Sequence, residues 1–365
     1  MGPFSLKYIV FMASIAVYFY RQNVANFIIS NGFFREIINH HPGKCRVLNG
    51  IKGSEDMHQL SNGKVIITSD IGNIADPTNQ LPNHKGRLFT IDLESVAKKL
   101  IELELPKELE ASNFFPHGIS VLERPGKFPL VYVINHPRLS SDRVEKLEWD
   151  INTNKLKYLK SFTDPKFTFI NDLVVYEEDV FYVTVFLRST SRFMREIEGT
   201  FKLPLGYVLL YNHGETSIQA DGLSMPNGIN LSNDKKLLYL AEGGSYNIQI
   251  FKRHGIEKLE LIQNVPLHTM PDNISVDKNG DLLIGCHPKL IDVYFHLHDN
   301  SLISPSQILR VKIQNDRAQS VTEIFADNGN LVKASTVAVV NKNALLIGTI
   351  GNELLLCDIH QDYLP

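Results

Sequence analysis

Asn227-Gly-Ile-Asn-Leu-Ser-Asn-Asp-Lys-Lys-Leu-Leu-Tyr-Leu240 is a polar residue, an apolar run, a tight polar turn and a second apolar run. Asn233-Asp-Lys has turn chemistry and the flanking runs are strand-length, so the stretch reads as a β-hairpin. The same order of parts recurs. It returns at His117-Gly-Ile-Ser-Val with Leu130-Val-Tyr-Val-Ile, at Asn171-Asp-Leu-Val-Val with Val180-Phe-Tyr-Val, and at Asn273-Ile-Ser-Val with Leu282-Leu-Ile-Gly. Ser335-Thr-Val-Ala-Val with Leu345-Leu-Ile-Gly is a fifth copy, and Glu55-Asp-Met-His with Val65-Ile-Ile a looser sixth. Asp56, His117, Asn171, Asn227, Asn273 and Ser335 mark the phase, at intervals of about 46 to 62 residues. Irregular repeats of about fifty residues, each with a hairpin at its heart, suit one four-stranded blade apiece. Six markers predict an all-β fold, a six-bladed β-propeller.

The rest of the composition is compatible with that. The chain has 365 residues, 43% of them hydrophobic, and 37 Lys+Arg against 40 Asp+Glu for a net charge of -3. A chain this long buries about three quarters of its unfolded surface and needs no metal or disulfide merely to hold a core. Balanced, interspersed charge argues against a nucleic-acid binder. Walker, G-x-G-x-x-G, H-E-x-x-H and paired C-x-x-C motifs are absent, which removes the commonest nucleotide and zinc readings. Gly222-Leu-Ser-Met-Pro226 lacks the closing glycine of a nucleophile elbow. Leu93, Val96 and Leu100 are spaced for a helix within Asp92 to Leu105, which is expected as an insertion between blades. Trp149 and the charged Lys98 to Glu110 stretch read as a surface insertion.

Residues 1–30 differ from the body (31–365). Tyr8 to Tyr20 is a run of thirteen uncharged, mostly apolar residues between Lys7 and Arg21. It is short for a span of about 20 residues but suits a secretory h-region. Ser14-Ile-Ala16, the candidate cleavage triplet, lies inside the run, so an uncleaved signal anchor on an N-terminal hydrophobic helix is expected. A cleaved signal, which would leave the protein secreted, and a buried N-terminal helix are the alternatives. The anchor would leave the propeller lumenal or extracellular, in the secretory pathway. Cys45, Cys286 and Cys357 would there allow one bridge and one leftover thiol, or remain three buried thiols. Joining the outer two would close a loop of more than three hundred residues.

In a propeller every inner strand starts at the same end of the central tunnel. Glu55, Asp56, Asn171, Asp172, Asn227, Asp272 and Asn273, with His117, would therefore converge on the axis. Four carboxylates and three amides there repel one another unless something cationic fills the tunnel. Oxygen donors without thiolate favour calcium, and two Ca²⁺ ions match the four charges. At one position Asn or Asp is a turn residue; doublets at one phase in several blades point to a metal instead.

Gly53-Ser-Glu-Asp, Phe114-Phe-Pro-His-Gly-Ile-Ser, Val133-Ile-Asn-His-Pro, Asn171-Asp, Pro226-Asn-Gly-Ile-Asn, Asp272-Asn-Ile-Ser-Val-Asp, Ile284-Gly-Cys-His-Pro and Ala334-Ser-Thr-Val-Ala, in that order, resemble the paraoxonase (arylesterase/lactonase) family. The resemblance runs from about Ile51 to Cys357 and implies a six-bladed propeller with two calcium ions in its tunnel. It assigns the catalytic calcium to Glu55, Asn171, Asn227, Asp272 and Asn273, and a structural calcium to Asp56, Asp172 and the carbonyl of Ile119. It makes His117 and His136 the water-activating pair, joins Cys45 to Cys357, and leaves Cys286 free. His287 is left as structural. One departure stands out. After Phe181-Tyr-Val-Thr the enzymatic relatives carry an acidic residue and a histidine, where this chain has Val185-Phe-Leu-Arg. The basic and apolar Arg188 to Leu203 segment, which in relatives helps wall the mouth, could serve substrate, membrane surface or partner.

Two functions follow. The first is a calcium-dependent hydrolase of lactones and aryl esters, with the metal polarising the carbonyl. The second is a membrane-anchored, non-catalytic member that helps a membrane-protein client assemble, its calcium structural. Asn230-Leu-Ser is expected to be an exposed glycosylation site. Asn273-Ile-Ser is expected to be unmodified, because a glycan cannot sit on a tunnel ligand.

Overall fold

Short apolar runs separated by turns pair in the simplest way, each with its neighbour in sequence. The computed structural model describes residues 31–71, 86–111, 114–137, 140–350 and 354–360, with a few helical positions between 10 and 29. Its strands form six four-stranded antiparallel sheets. The first holds β2 (Met57–Gln59), β3 (Lys64–Ser69), β4 (Arg87–Asp92) and β5 (Leu100–Glu102); the second β6 (Pro116–Leu122), β7 (Leu130–Asn135), β8 (Arg143–Asp150) and β9 (Lys155–Phe162). The third holds β10 (Ile170–Glu177), β11 (Val180–Val185), β12 (Gly206–Asn212) and β13 (Glu215–Leu223). The fourth holds β14 (Pro226–Leu231), β15 (Leu237–Glu242), β16 (Asn247–Arg253) and β17 (Leu259–Pro266). The fifth holds β18 (Met270–Val276), β19 (Leu282–His287), β20 (Ser306–Gln314) and β21 (Arg317–Asp327). The last joins β22 (Ser335–Asn341), β23 (Ala344–Thr349) and β24 (Leu354–Asp358) to β1 (Cys45–Leu48).

The inner strands β2, β6, β10, β14, β18 and β22 touch in turn, and β22 returns to β2. This is the expected six-bladed propeller. Six apolar clusters fill the ring, each between one blade and the next. Leu130, Phe162, Leu173 and Phe181 pack between the second and third, and Leu237, Ile250, Ile274 and Ile284 between the fourth and fifth. A blade is therefore buried on both faces. That is why second strands such as Val180-Phe-Tyr-Val-Thr-Val185 are continuous buried runs, whereas the outer strand β9 alternates toward solvent.

The ring closes through β1, which pairs with β24 so that Cys45 faces Cys357. The two form a disulfide across 312 residues of sequence, and Cys286 is a buried free thiol. Pairing and free thiol both agree with the resemblance.

Two expectations are corrected. Asp92 to Leu105 is no helix: β4 ends at Asp92 and β5 pairs back onto it, Ile91 opposite Leu100. Leu93 is buried while Val96 is fully exposed, so the three-residue spacing does not mark one face. Trp149 is no surface residue either. It lies on β8 with zero exposure, covered by Leu103 and by Leu109 of α1 (Lys107–Ala111). Much of the charged stretch thus serves as a lid over core. The anchor expected over 1–30 lies largely outside the described residues. Among those described, no helix is long and apolar enough to cross a membrane.

Candidate functional site

Inner-strand ladders slip at the marker phase. The register breaks between Pro116 and Ile119, Ile170 and Leu173, Pro226 and Ile229, Pro271 and Ile274, and Ser335 and Val337. Such a bulge frees residues from pairing and re-aims them. The doublets at this phase are Glu55-Asp56, His117-Gly118, Asn171-Asp172, Asn227-Gly228, Asp272-Asn273 and Ser335-Thr336, and every side chain in them is buried.

Large and absent side chains alternate at the second position over the first four blades, and the geometry explains it. Asp56 Oδ2 accepts the backbone N–H of Ile119 in the next blade at 2.8 Å, and Asp172 Oδ2 accepts that of Ile229 at 2.8 Å. Their Oδ1 atoms accept their own strands' Met57 and Leu173 N–H groups. A Cβ on Gly118 would stand 2.6 Å from Asp172 Cα, and one on Gly228 2.5 Å from the Asp272 carbonyl. Only glycine lets the blades come so close. Burial and mutual repulsion hold the carboxyls of Asp56 and Asp172 well above the usual range.

Glu55 is the hub. Its Oε1 accepts Asn273 Nδ2 at 2.9 Å and lies 3.3 Å from His117 Nε2. Its carbonyl accepts the Thr336 hydroxyl at 2.6 Å. Burial, then the Asp272 carboxylate, push the Glu55 carboxyl up strongly. Four acceptors in the ring are buried without a hydrogen-bond partner: Glu55 Oε2, Asn171 Oδ1, Asn227 Oδ1 and Asn273 Oδ1. Each orphaned acceptor costs about 1–3 kcal/mol unless something positive meets it. Four from four blades at one phase have the chemistry of a hard-cation site. Three of the four are amides, and among the described residues no three His, Cys, Asp or Glu side chains gather as a zinc site needs. The donor set fits calcium.

Beside the ring, His117 Nδ1 is 2.9 Å from His136 Nε2. Burial, helped by the neighbouring His136, pushes His117 down to about 3, so its ring is neutral and, without a metal in the tunnel, resists protonation. His136 Nδ1 lies 2.8 Å from Asp142 Oδ1, and Phe169 stacks on the His136 ring at 5.7 Å. Arg195 of α2 (Arg192–Thr200) sits over Phe169, and the Phe186 ring lies against Phe169 as well. The Arg188 to Leu203 segment is fastened by buried Glu198, which accepts the Arg188 backbone N–H at 2.9 Å.

The structure thus gathers the predicted ligand residues and both histidines at the entry end of the inner strands. Three contributors escaped the sequence reading. His287 is not merely packed; its Nε2 meets Asp272 Oδ2 at 2.7 Å. Thr336, not the marker Ser335, reaches Glu55, because the bulge moves the phase by one residue. Asp142 had no motif to announce it. The opposite end of the tunnel is a cavity of about 610 Å³, lined by later inner-strand residues such as His58, Ser120, Ser275 and Asn341, and by none of the ring. Asn230 lines it too. It is half-buried on β14 and its Nδ2 donates to the Ile274 carbonyl at 2.8 Å, so the exposure expected of it is not met. Asn273 is buried and engaged with Glu55.

A family model described as Arylesterase matches residues 36–359. Serum paraoxonase/lactonase 3 of Mus musculus is 32% identical over 327 residues, 89% of this chain and 91% of that protein. Serum paraoxonase/arylesterase 1 of Homo sapiens is 31% identical over 318 residues, 86% and 88% of the two chains. Among solved structures, a luciferin-regenerating enzyme superposes with a TM-score of 0.55 at 10% identity, covering 87% of this chain and 95% of its own. At that identity it shares the fold alone.

Proposed function

The chain belongs to the arylesterase (paraoxonase) family, and from that membership we propose that it is a calcium-dependent hydrolase of lactones and aryl esters. The observation that carries the reading is the ring of orphaned buried oxygens next to a neutral histidine. Glu55, Asn171, Asn227, Asp272 and Asn273 would hold one calcium; Asp56, Asp172 and the Ile119 carbonyl would hold a second. Bound there, calcium supplies a concentrated positive charge that polarises an ester or lactone carbonyl. The remaining work belongs to side chains. His117 accepts a proton from water at Nε2, and His136 takes up its Nδ1 hydrogen bond and steadies the ring. Asp272, oriented by His287, and Glu55, held by Asn273, keep the donor set in place before substrate arrives. Phe169, Phe186 and Arg195 form an apolar wall with one cation at its rim, which suits an aromatic or acyl group.

The disulfide belongs to an oxidising compartment, and the relatives are named serum proteins. The propeller is accordingly assigned to the secretory pathway, outside the cytosol, with residues 1–30 as its anchor. The second reading, an accessory protein with structural calcium, draws support from Phe186, an apolar residue where enzymatic relatives carry a polar run. A panel of γ- and δ-lactones and phenyl acetate separates the two. Turnover that needs calcium, stops with chelator and falls at least about tenfold in His117→Gln is expected. Calcium that raises the melting temperature while no substrate turns over would overturn the hydrolase and leave the accessory role.

A further inference from the structure

We propose that Lys202 is an acylation site: its amine, held at the ring end of the propeller without a carboxylate partner, takes the acyl group of activated esters and lactones. The inference rests on the hydrolase reading only for the source of those acyl donors; the chemistry at Lys202 stands apart from it.

The chain around Lys202 carries it to the same end as the ring. Lys202 follows α2, and its carbonyl accepts the Ser224 hydroxyl at 2.7 Å, just ahead of Asn227. Tyr246 closes the turn between β15 and β16, and β15 ends with Glu242 opposite Pro226 at the start of β14. Asn31 comes in from the start of the body. Its carbonyl accepts the Leu290 backbone N–H at 3.2 Å, just beyond His287, which meets Asp272. Three remote pieces of chain therefore gather around one half-buried lysine.

The contacts of the amine suit its uncharged form. Nζ donates to Asn31 Oδ1 at 3.0 Å and to the Tyr246 hydroxyl oxygen, and that hydroxyl donates to Asn31 Oδ1 at 3.2 Å. Two acceptors take up the two N–H bonds of a neutral amine and leave its lone pair over, whereas an ammonium has a third donor to place. Among the described residues no carboxylate pairs with Nζ, in contrast to Lys146 and Lys160, which both meet Asp179. The face of the Tyr246 ring, 4.2 Å from Nζ, favours the charge less than a carboxylate would. Burial lowers the amine from the usual lysine range to about 8. About a tenth of it is then uncharged at pH 7, against less than about a thousandth of an ordinary lysine. A neutral amine attacks an activated carbonyl carbon. The C–N bond forms, the ester C–O bond breaks, and the departing oxygen takes the proton that nitrogen sheds. Phenyl acetate leaves an acetamide and phenol; a lactone leaves its opened hydroxyacyl chain on Nζ.

The test treats the calcium-loaded full-length chain with phenyl acetate or δ-valerolactone and maps acylated lysines by peptide mass spectrometry. Lys202 is expected to be acylated at least about tenfold faster at pH 7.5 than the exposed Lys127 and Lys258. Its rate is expected to level off above about pH 8.5, while theirs keeps climbing. Tyr246 is the titratable side chain that faces the amine, and Tyr246→Phe, which keeps the ring, is expected to leave that plateau in place. Lys202→Arg keeps the charge and is expected to lose the fast label with kcat within about twofold of the parent. Acylation of Lys202 no faster than of Lys127, or a rate that climbs in parallel with the exposed lysines, overturns the inference and leaves the hydrolase standing. A chain that turns over no ester yet acylates Lys202 fast defeats the hydrolase reading and leaves the inference in place.

Discussion

At single residues the ring is governed by size as much as by charge. Gly118 is required because the Asn171-Asp172 backbone and the Asp172 carboxylate occupy the space its side chain would take, and Asp172 is held by two backbone N–H groups. Gly118→Ala is predicted to destabilise by about 1–3 kcal/mol, read as a lower melting temperature, and to weaken calcium binding. Gly199→Ala is the control. Gly199 lies in α2 with nothing near its missing Cβ, so alanine there is predicted to stabilise by up to about 1 kcal/mol. Equal melting temperatures for the two variants would contradict the steric account. Most of the ring was legible in sequence because its members stand at one phase of a repeat. Asp142 and His287 were not, since their partners are defined by a hairpin's width and a neighbouring strand, distances that no spacing within one repeat expresses.

Among elements, β1 does most to close the molecule. A four-residue strand from the start of the body completes the last blade, and the disulfide fastens it opposite β24. The six hairpins were readable from paired apolar runs, three of them around Asn-Gly or Asn-Asp turns. The donated strand was not, because Cys45-Arg-Val-Leu is too short to carry a pattern and its partner lies at the other end of the chain. The false helix at Asp92 to Leu105 fails for a related reason: a tight turn with one exposed valine can imitate helical spacing over three positions. Cys357→Ser, with Cys45→Ser to remove the partner thiol, is predicted to cost about 2–5 kcal/mol of stability and to loosen the last blade first. Hydrogen exchange across β22, β23 and β24 measures it. Uniform loss of protection over all six blades would contradict a local clasp.

Over the whole molecule, the tunnel concentrates negative charge that folding alone does not compensate. Without metal, burial and mutual repulsion keep Glu55, Asp56 and Asp172 protonated above the usual carboxylate range. The folded chain then holds protons that the unfolded chain has released, so its stability falls as pH rises above about 4. Calcium reverses the preference by favouring the ionised groups. The melting temperature of chelator-stripped protein is predicted to fall from about pH 5 to pH 8, and that of calcium-loaded protein to hold or rise. A stripped protein that gains stability over that range would contradict the charge arrangement. The most direct measurement is a calorimetric titration of calcium into the stripped full-length chain, with lactone opening followed in the same samples. Two ions per chain, and turnover that appears as the tunnel fills, are the predicted result. No saturable calcium binding, or lactone opening that is indifferent to chelator, would contradict the account.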